Sequence, residues 1–395
     1  MGQRRPLEQR PGVRLVSDPA DDPRRIAIAA IVRIDDEGAY ANVVLPKMLA
    51  DTSLDGRDKG FATELVYGST RMRRRLDHLV DRFLVEAPPP SARAALRIGA
   101  HQLLHLETPP HAAVSATVAA APKRFRGLVN AVLRKVAAAV KDGVTFPSPG
   151  IELSYPDWIV DRLTADLGAE RARAALETMN IAAGVHVRDD GYVQDPSSQA
   201  VAAAVPLATG GLVLDVCAAP GGKATALAQR GARVIAADQR HSRAGLIIAN
   251  RDRLDLDDVH VAQADGTAPP FSNERFDAVL VDAPCSGLGA LRRRADARWR
   301  IQPGDVDELA ALQGEILLAS APLVKSGGAL VYSVCTLTQA ESTDVVAAAA
   351  GALVELGFVP DLPDGDGWEP YGDDTRVLVP QADGDGMALA RWVRR

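Results

Sequence analysis

Residues 211–229, GLVLDVCAAPGGKATALAQ, read as a strand, a tight turn and a helix. The apolar run Leu212–Val216 is too short for a buried helix, and it gives way to Cys217, Ala218, Ala219, Pro220, Gly221 and Gly222. From Lys223 onward the residues favour helix. Glycines at such a joint let the backbone come close to a ligand, and the first helical turn presents N–H groups that have no partner within the helix. Neither G-x-G-x-x-G nor G-x-x-x-x-G-K-[ST] is present, so the loop is built for something other than a pyrophosphate.

On either side of this unit the chain alternates in the same way. Apolar strands GLVLDVC, ARVIAAD, VHVAQAD, FDAVLVDA and GALVYSVC are interleaved with helical segments near 222–230, 240–254, 305–324 and 338–355. This predicts an α/β domain with a mostly parallel, doubly wound, Rossmann-like sheet. Ligands of such sheets bind beyond the carboxyl ends of the strands. ARVIAAD ends at Asp238, where an acidic side chain accepts both hydroxyls of a ribose. A nucleoside cofactor without phosphates fits, and S-adenosylmethionine is the common one. Asp265 ends its strand where a carboxylate meets an adenine amino group, and equally where an aspartate caps a turn. FDAVLVDAPCSGLG puts Asp282, Pro284 and Cys285 just past one strand, and Cys335 ends another. In the methyltransferase arrangement of this sheet those strands are neighbours, so both thiols are expected to face one pocket.

A chain of 395 residues with 47% hydrophobic content is expected to fill more than one core. No run of 18 uncharged apolar residues occurs and the first 25 residues lack the apolar stretch of a signal peptide, which predicts a cytoplasmic protein with no membrane segment. The three cysteines, Cys217, Cys285 and Cys335, form no C-x-x-C pair, which argues against disulfides and zinc. His101 and His105 lack a third ligand at suitable spacing, so no metal is expected. Net charge is −6, but residues 1–150 hold 23 Lys and Arg against 16 Asp and Glu. RMRRR at 71–75, KRFR at 123–126 and LRK at 133–135 concentrate that charge. They read as a phosphate-contacting patch or as a solvated helix face. The boundaries read as a disordered arm (1–23), an all-helical domain (24–145), a Pro-rich linker with a short helical insert (146–193), and the α/β domain (194–395).

DVCAAPGGK, DAPCSG and LVYSVCTLTQAES together resemble the Sun/NOL1/NOP2 class of RNA 5-methylcytosine methyltransferases. QDPSSQA at 194–200 and RRRADARW at 292–299 extend the likeness. The helical domain, with ATELVYGSTRMRRRLD and GLVNAVLRK, resembles the NusB RNA-binding fold, and the combination resembles the Sun/Fmu ribosomal RNA enzymes. The resemblance implies S-adenosylmethionine-dependent methylation of cytosine carbon 5 in ribosomal RNA, expected in the small subunit. Transfer RNA as substrate, or a non-catalytic assembly role, are the alternatives. It implies that Cys335 attacks the base and Cys285 assists product release. Asp282 would bind the cytosine edge, and Lys223 would orient cofactor or base. Residues 217–223 with Asp238, Asp265 and Asp282 would hold the cofactor. Two features depart from the family: a shortened segment before Gln194, and Met387–Ala388 where paired aromatics are usual.

Overall fold

The computed structural model describes residues 22–395 except Asp366. The chain divides into two compact units that meet at Thr145 and Phe146.

The first unit is helical. Among the described residues its helices are α1 Pro23–Asp35, α2 Ala41–Ala50, α3 Gly56–Arg71, α4 Arg73–Asp81, α5 Pro90–Leu104, α6 Pro110–Ala120 and α7 Arg126–Asp142. Asp22 caps α1 by accepting from the Arg24 amide, so helix begins at Pro23, inside the segment expected to be a disordered arm. The remainder of that arm lies outside the described residues. Two segments with continuous helical periodicity are broken. Met72 leaves the helical region between α3 and α4. Ala121, which precedes Pro122, is extended, as the proline ring requires, and separates α6 from α7. In α7, Val129, Val132, Leu133 and Val136 are buried at helical spacing while Arg134 and Lys135 face solvent.

The second unit opens with α8 Pro149–Glu152, α9 Asp157–Leu167, α10 Ala169–Thr178 and α11 Pro196–Ala204. The α/β succession follows as β1 Leu212–Asp215, α12 Gly222–Gln229, β2 Arg233–Asp238, α13 His241–Arg253, β3 Val259–Gln263, β4 Phe276–Asp282, α14 Pro303–Ser320, β5 Val324–Val334 and α15 Thr343–Glu355. Short strands β6 Phe358–Pro360, β7 Glu369–Pro370 and β8 Arg376–Leu378 lead to β9 Met387–Arg394. The sheet order is β3-β2-β1-β4-β5-β9-β8-β7. The first five strands are parallel, and β9 joins β5 antiparallel.

One consequence of this order matters most for the chemistry. β4 and β5 are hydrogen-bonded neighbours, with Asp282 opposite Ser333, so the loops after them open at the same edge. The departure at Met387–Ala388 is accommodated: both side chains are buried, one on each face of the sheet, because β9 is covered on both sides. The shortened segment before Gln194 folds back on itself, with Val187 bridging Val193.

Candidate active site

Gly221 makes the turn between β1 and α12 possible. Its φ of +105° is a region that side chains rarely adopt, and a Cβ there would lie 3.3 Å from Ile247. Backbone bonds from Val216 to Leu280 and from Ala218 to Ala237 thread the loop between the ends of β4 and β2. From beneath, Arg188 in the folded-back segment donates to the Gly222 carbonyl (2.8 Å), to Gln194 (2.9 Å) and to Thr225 (3.2 Å). No local pattern around Arg188 pointed to this brace.

A cavity of about 700 Å³ opens where the strands end. Cys217 and Ala219 of the loop line it, with Asp238, Asp265, Asp282, Cys285 and Cys335. Ala218, Pro220, Gly221, Gly222 and Lys223 do not; they shape the loop or stand behind it. Asp238 is buried, accepting from the Arg240 amide and the Arg243 guanidinium, both at 3.1 Å. Asp265 is the turn cap that the sequence allowed, and it also lies on the cavity wall. It accepts from the Thr267 amide and hydroxyl, and Gln239 binds its other oxygen. Those hydrogen bonds hold its carboxyl below the usual range, the Thr267 amide contributing most.

Asp215, at the end of β1, is fully buried and its carboxylate has no hydrogen-bond partner, a weak approach of the Ala224 amide aside. Burial, with Asp282 nearby, pushes its pKa up to about 8. Burial and the surrounding carboxylates push Cys217 up to about 12, which favours its protonated form. Asp238, Asp265 and Asp282 around a partly apolar cavity suit a ligand that carries both positive charge and a ribose. S-adenosylmethionine, a sulfonium nucleoside, is such a ligand.

The two remaining cysteines stand together. Cys285 Sγ and Cys335 Sγ are 3.2 Å apart, both only partly exposed. Their environments are unequal. The hydrogen bond from Cys285 holds the Cys335 thiol below its ordinary value; Lys223 and Arg294 add to this, while burial and Asp282 oppose it. Cys285 is raised well above the usual range, first by that same hydrogen bond, then by burial and by the charges of Cys335, Glu341 and Asp282.

Beside the thiols, Asp282 accepts from Lys223 Nζ and from Ser333 Oγ, each at 2.7 Å. Burial alone would lower the Lys223 pKa, but the Asp282 charge and hydrogen bond outweigh it and raise it. The lysine is thus a fixed ammonium behind the carboxylate.

Sequence reasoning did not find Arg294, Ser333 or Glu341 as members of the site. Arg294 is an exposed arginine on the cavity wall. Ser333 and Glu341 lie inside the LVYSVCTLTQAES stretch, but their roles depend on partners about 50 residues away. His101 is buried beside Glu64, its Nε2 3.0 Å from Oε1, and no metal-ligating cluster of three occurs among the described residues. No described helix is long and apolar enough to cross a membrane.

Residues 203–392 match the family described as 16S rRNA methyltransferase RsmB/F, and residues 21–138 match the NusB family. The chain is 36% identical over 399 residues to Rv1407 of Mycobacterium tuberculosis, named as a methyltransferase, covering 83% of this chain and 86% of that one. It is 35% identical over 363 residues to the ribosomal RNA small subunit methyltransferase B of Thermus thermophilus, covering 83% of this chain and 87% of that one. Among solved structures, PH0851 aligns with a TM-score of 0.74 over 94% of this chain and 99% of that one; at 19% identity this speaks to the fold alone. A cavity of about 700 Å³ at the ends of parallel strands, with Asp238 on its wall, has room for S-adenosylmethionine, and that is the cofactor. The chain belongs to the RsmB/F family of S-adenosylmethionine-dependent 16S rRNA methyltransferases and carries a NusB-family domain at its N-terminal side.

Proposed function

We propose that the protein methylates carbon 5 of a cytosine in small-subunit ribosomal RNA, in the cytoplasm, through a covalent adduct with Cys335. The observation that carries this reading is the pair of thiols 3.2 Å apart with Asp282 beside them on one cavity wall.

Carbon 5 of cytosine is too weakly nucleophilic to take a methyl group directly. Addition of a thiolate at carbon 6 makes it enamine-like. Cys335 forms the new sulfur–carbon bond, being the thiol whose surroundings favour ionisation. As the ring accepts the electron pair, negative charge grows on its N3/N4 edge. Asp282, oriented by Lys223 and Ser333, accepts a hydrogen bond from the N4 amino group and so fixes the ring, and the Lys223 ammonium beside that carboxylate is the positive charge that offsets the charge growing on N3. S-adenosylmethionine, held by Asp238 and the loop around Cys217, supplies the electrophilic methyl group.

The product leaves when the carbon 5 proton is removed, the 5,6 double bond reforms and the bond to Cys335 breaks. Cys285, once its own thiol proton has passed to water, takes that proton as the thiolate. The hydrogen bond and charge of Cys335 are among the causes that kept it protonated, and those two vanish once Cys335 is a thioether, while burial, Glu341 and Asp282 remain. Cys285 then ionises more readily, at the stage where a base is needed.

Bisulfite sequencing of 16S ribosomal RNA from cells with and without this protein tests the reading. One cytosine should lose its protection in the deletion and regain it when the wild-type chain is restored. Unchanged protection at every cytosine would overturn it.

A further inference from the structure

We infer that Glu341 is a positioning residue for the thiol pair: its carboxylate ties the loop that carries Cys285 to the loop that carries Cys335 and so sets the contact between the two sulfurs. The inference rests on the covalent reading above, but its test needs no RNA, so the two can fail separately.

Glu341 is fully buried, and among the described residues no ion pair is seen at its carboxylate. It is held instead by four neutral donors. Oε1 accepts from the amide of Ser286, the residue after Cys285, at 2.7 Å, and from Gln313 Nε2 at 3.1 Å. Oε2 accepts from the Ser286 hydroxyl and, at 3.0 Å, from Thr338 Oγ1, three residues past Cys335. The Ser286 hydroxyl also meets Thr336 Oγ1, next to Cys335, at 3.1 Å. Gln313 of α14 donates to the Pro284 carbonyl at 2.9 Å, which fixes the residue before Cys285 as well. Tyr332 of β5 reaches Gln313 Oε1 (2.9 Å) and the Glu341 carbonyl (2.6 Å).

Both neighbours of Cys285 are therefore tied, directly or through one glutamine, to a single carboxylate that also holds the chain after Cys335. An acceptor-only group suits a place where every facing atom donates. A glutamine would turn an NH₂ toward two of those donors, and the loops would separate at the point where the sulfurs meet. The charge has a second effect. Together with Asp282 it faces Cys285, whereas Lys223 and Arg294 are the cations that face Cys335. Glu341 thus helps keep the proton on Cys285 and leaves Cys335 as the attacking thiol.

Labelling of the full chain with iodoacetamide at neutral pH, read by mass spectrometry at each cysteine, tests this. Wild-type protein should label at Cys335 in preference to Cys285. In Glu341→Gln the Cys335 rate should fall about tenfold and the preference should shrink, with S-adenosylmethionine affinity by calorimetry unchanged. In a Cys285→Ala background the same substitution should leave the Cys335 rate unaltered, because the sulfur–sulfur approach through which it acts is absent. An unchanged Cys335 rate in folded Glu341→Gln, or an equal loss in the Cys285→Ala background, would overturn the inference. Should Glu341→Gln not fold, Ser286→Ala removes one hydroxyl from the same carboxylate. It should slow Cys335 in the same direction by about threefold, and a wild-type rate there would overturn the inference equally.

Discussion

Asp215 shows what a single buried group does to this site. Its carboxyl is raised to about 8, against about 3.9 in an unfolded chain. Because the folded value is the higher one, its favourable contribution is complete below about pH 4 and is lost as pH rises through 8. Cofactor-free protein should accordingly lose stability from pH 4 toward pH 8, by no more than about 6 kcal/mol from this group. Asp215→Asn should flatten that slope and raise the urea midpoint at neutral pH while weakening S-adenosylmethionine binding. Urea titrations of both proteins between pH 5 and 8 read it, and parallel slopes would show that Asp215 does not set the pH dependence.

Packing between elements holds the loops around the cavity. Arg292 is fully buried, donating to Asp385 at 2.6 Å, and Arg293 donates to Asp385 at 2.9 Å and to Asp195 at 2.6 Å. This cluster joins the start of α11, the loop after Cys285 and the approach to β9. Asp385→Ala would leave a buried guanidinium short of its counter-charge, and should cost about 3 kcal/mol. A denaturation midpoint equal to wild type would mean that the backbone carbonyls facing Arg292 suffice. The QDPSSQA and RRRADARW stretches were visible in the sequence as parts of a resemblance, but nothing local told that they meet. The same holds more widely. Strands with short apolar runs and helices with three- and four-residue spacing were legible because each is a local pattern. The break at Met72 was not, since the periodicity runs straight through it. Cys335, Cys285, Asp282 and Lys223 were expected together through the family resemblance, and they lie together because β4 and β5 are neighbours and Lys223 reaches Asp282 from α12. The buried network beneath them was not legible, because Glu341, Gln313 and Tyr332 gain their roles from contacts between elements.

Across the whole molecule the charge is divided, with the helical unit basic and the remainder acidic. The run at 71–75 contributes less to a surface patch than its composition suggests. Arg71 is buried and Arg73 pairs with Asp35, because the end of α3 and the start of α4 turn toward α1. Lys123, Arg124, Arg134 and Lys135 are exposed, so the helical unit's contact with RNA phosphate is expected there. Replacing these four with Ser should weaken RNA binding with little sequence bias and lower the salt slope by about 0.7 to 0.9 for each phosphate no longer neutralised. An unchanged slope in filter binding would assign the patch to solvent.

The covalent step is the centre of the mechanism, and the two cysteines should have opposite phenotypes. Cys335→Ala removes the attacking sulfur, so neither methylation nor any covalent protein–RNA species should form. Cys285→Ala leaves attack and methyl transfer intact but slows release, so an adduct that survives denaturation should accumulate through Cys335. The double variant should behave as Cys335→Ala alone. A denaturing gel with labelled small-subunit ribosomal RNA and S-adenosylmethionine reads all three: an adduct from Cys285→Ala only is the predicted result, and an adduct from Cys335→Ala, or full activity in both single variants without any adduct, would contradict it.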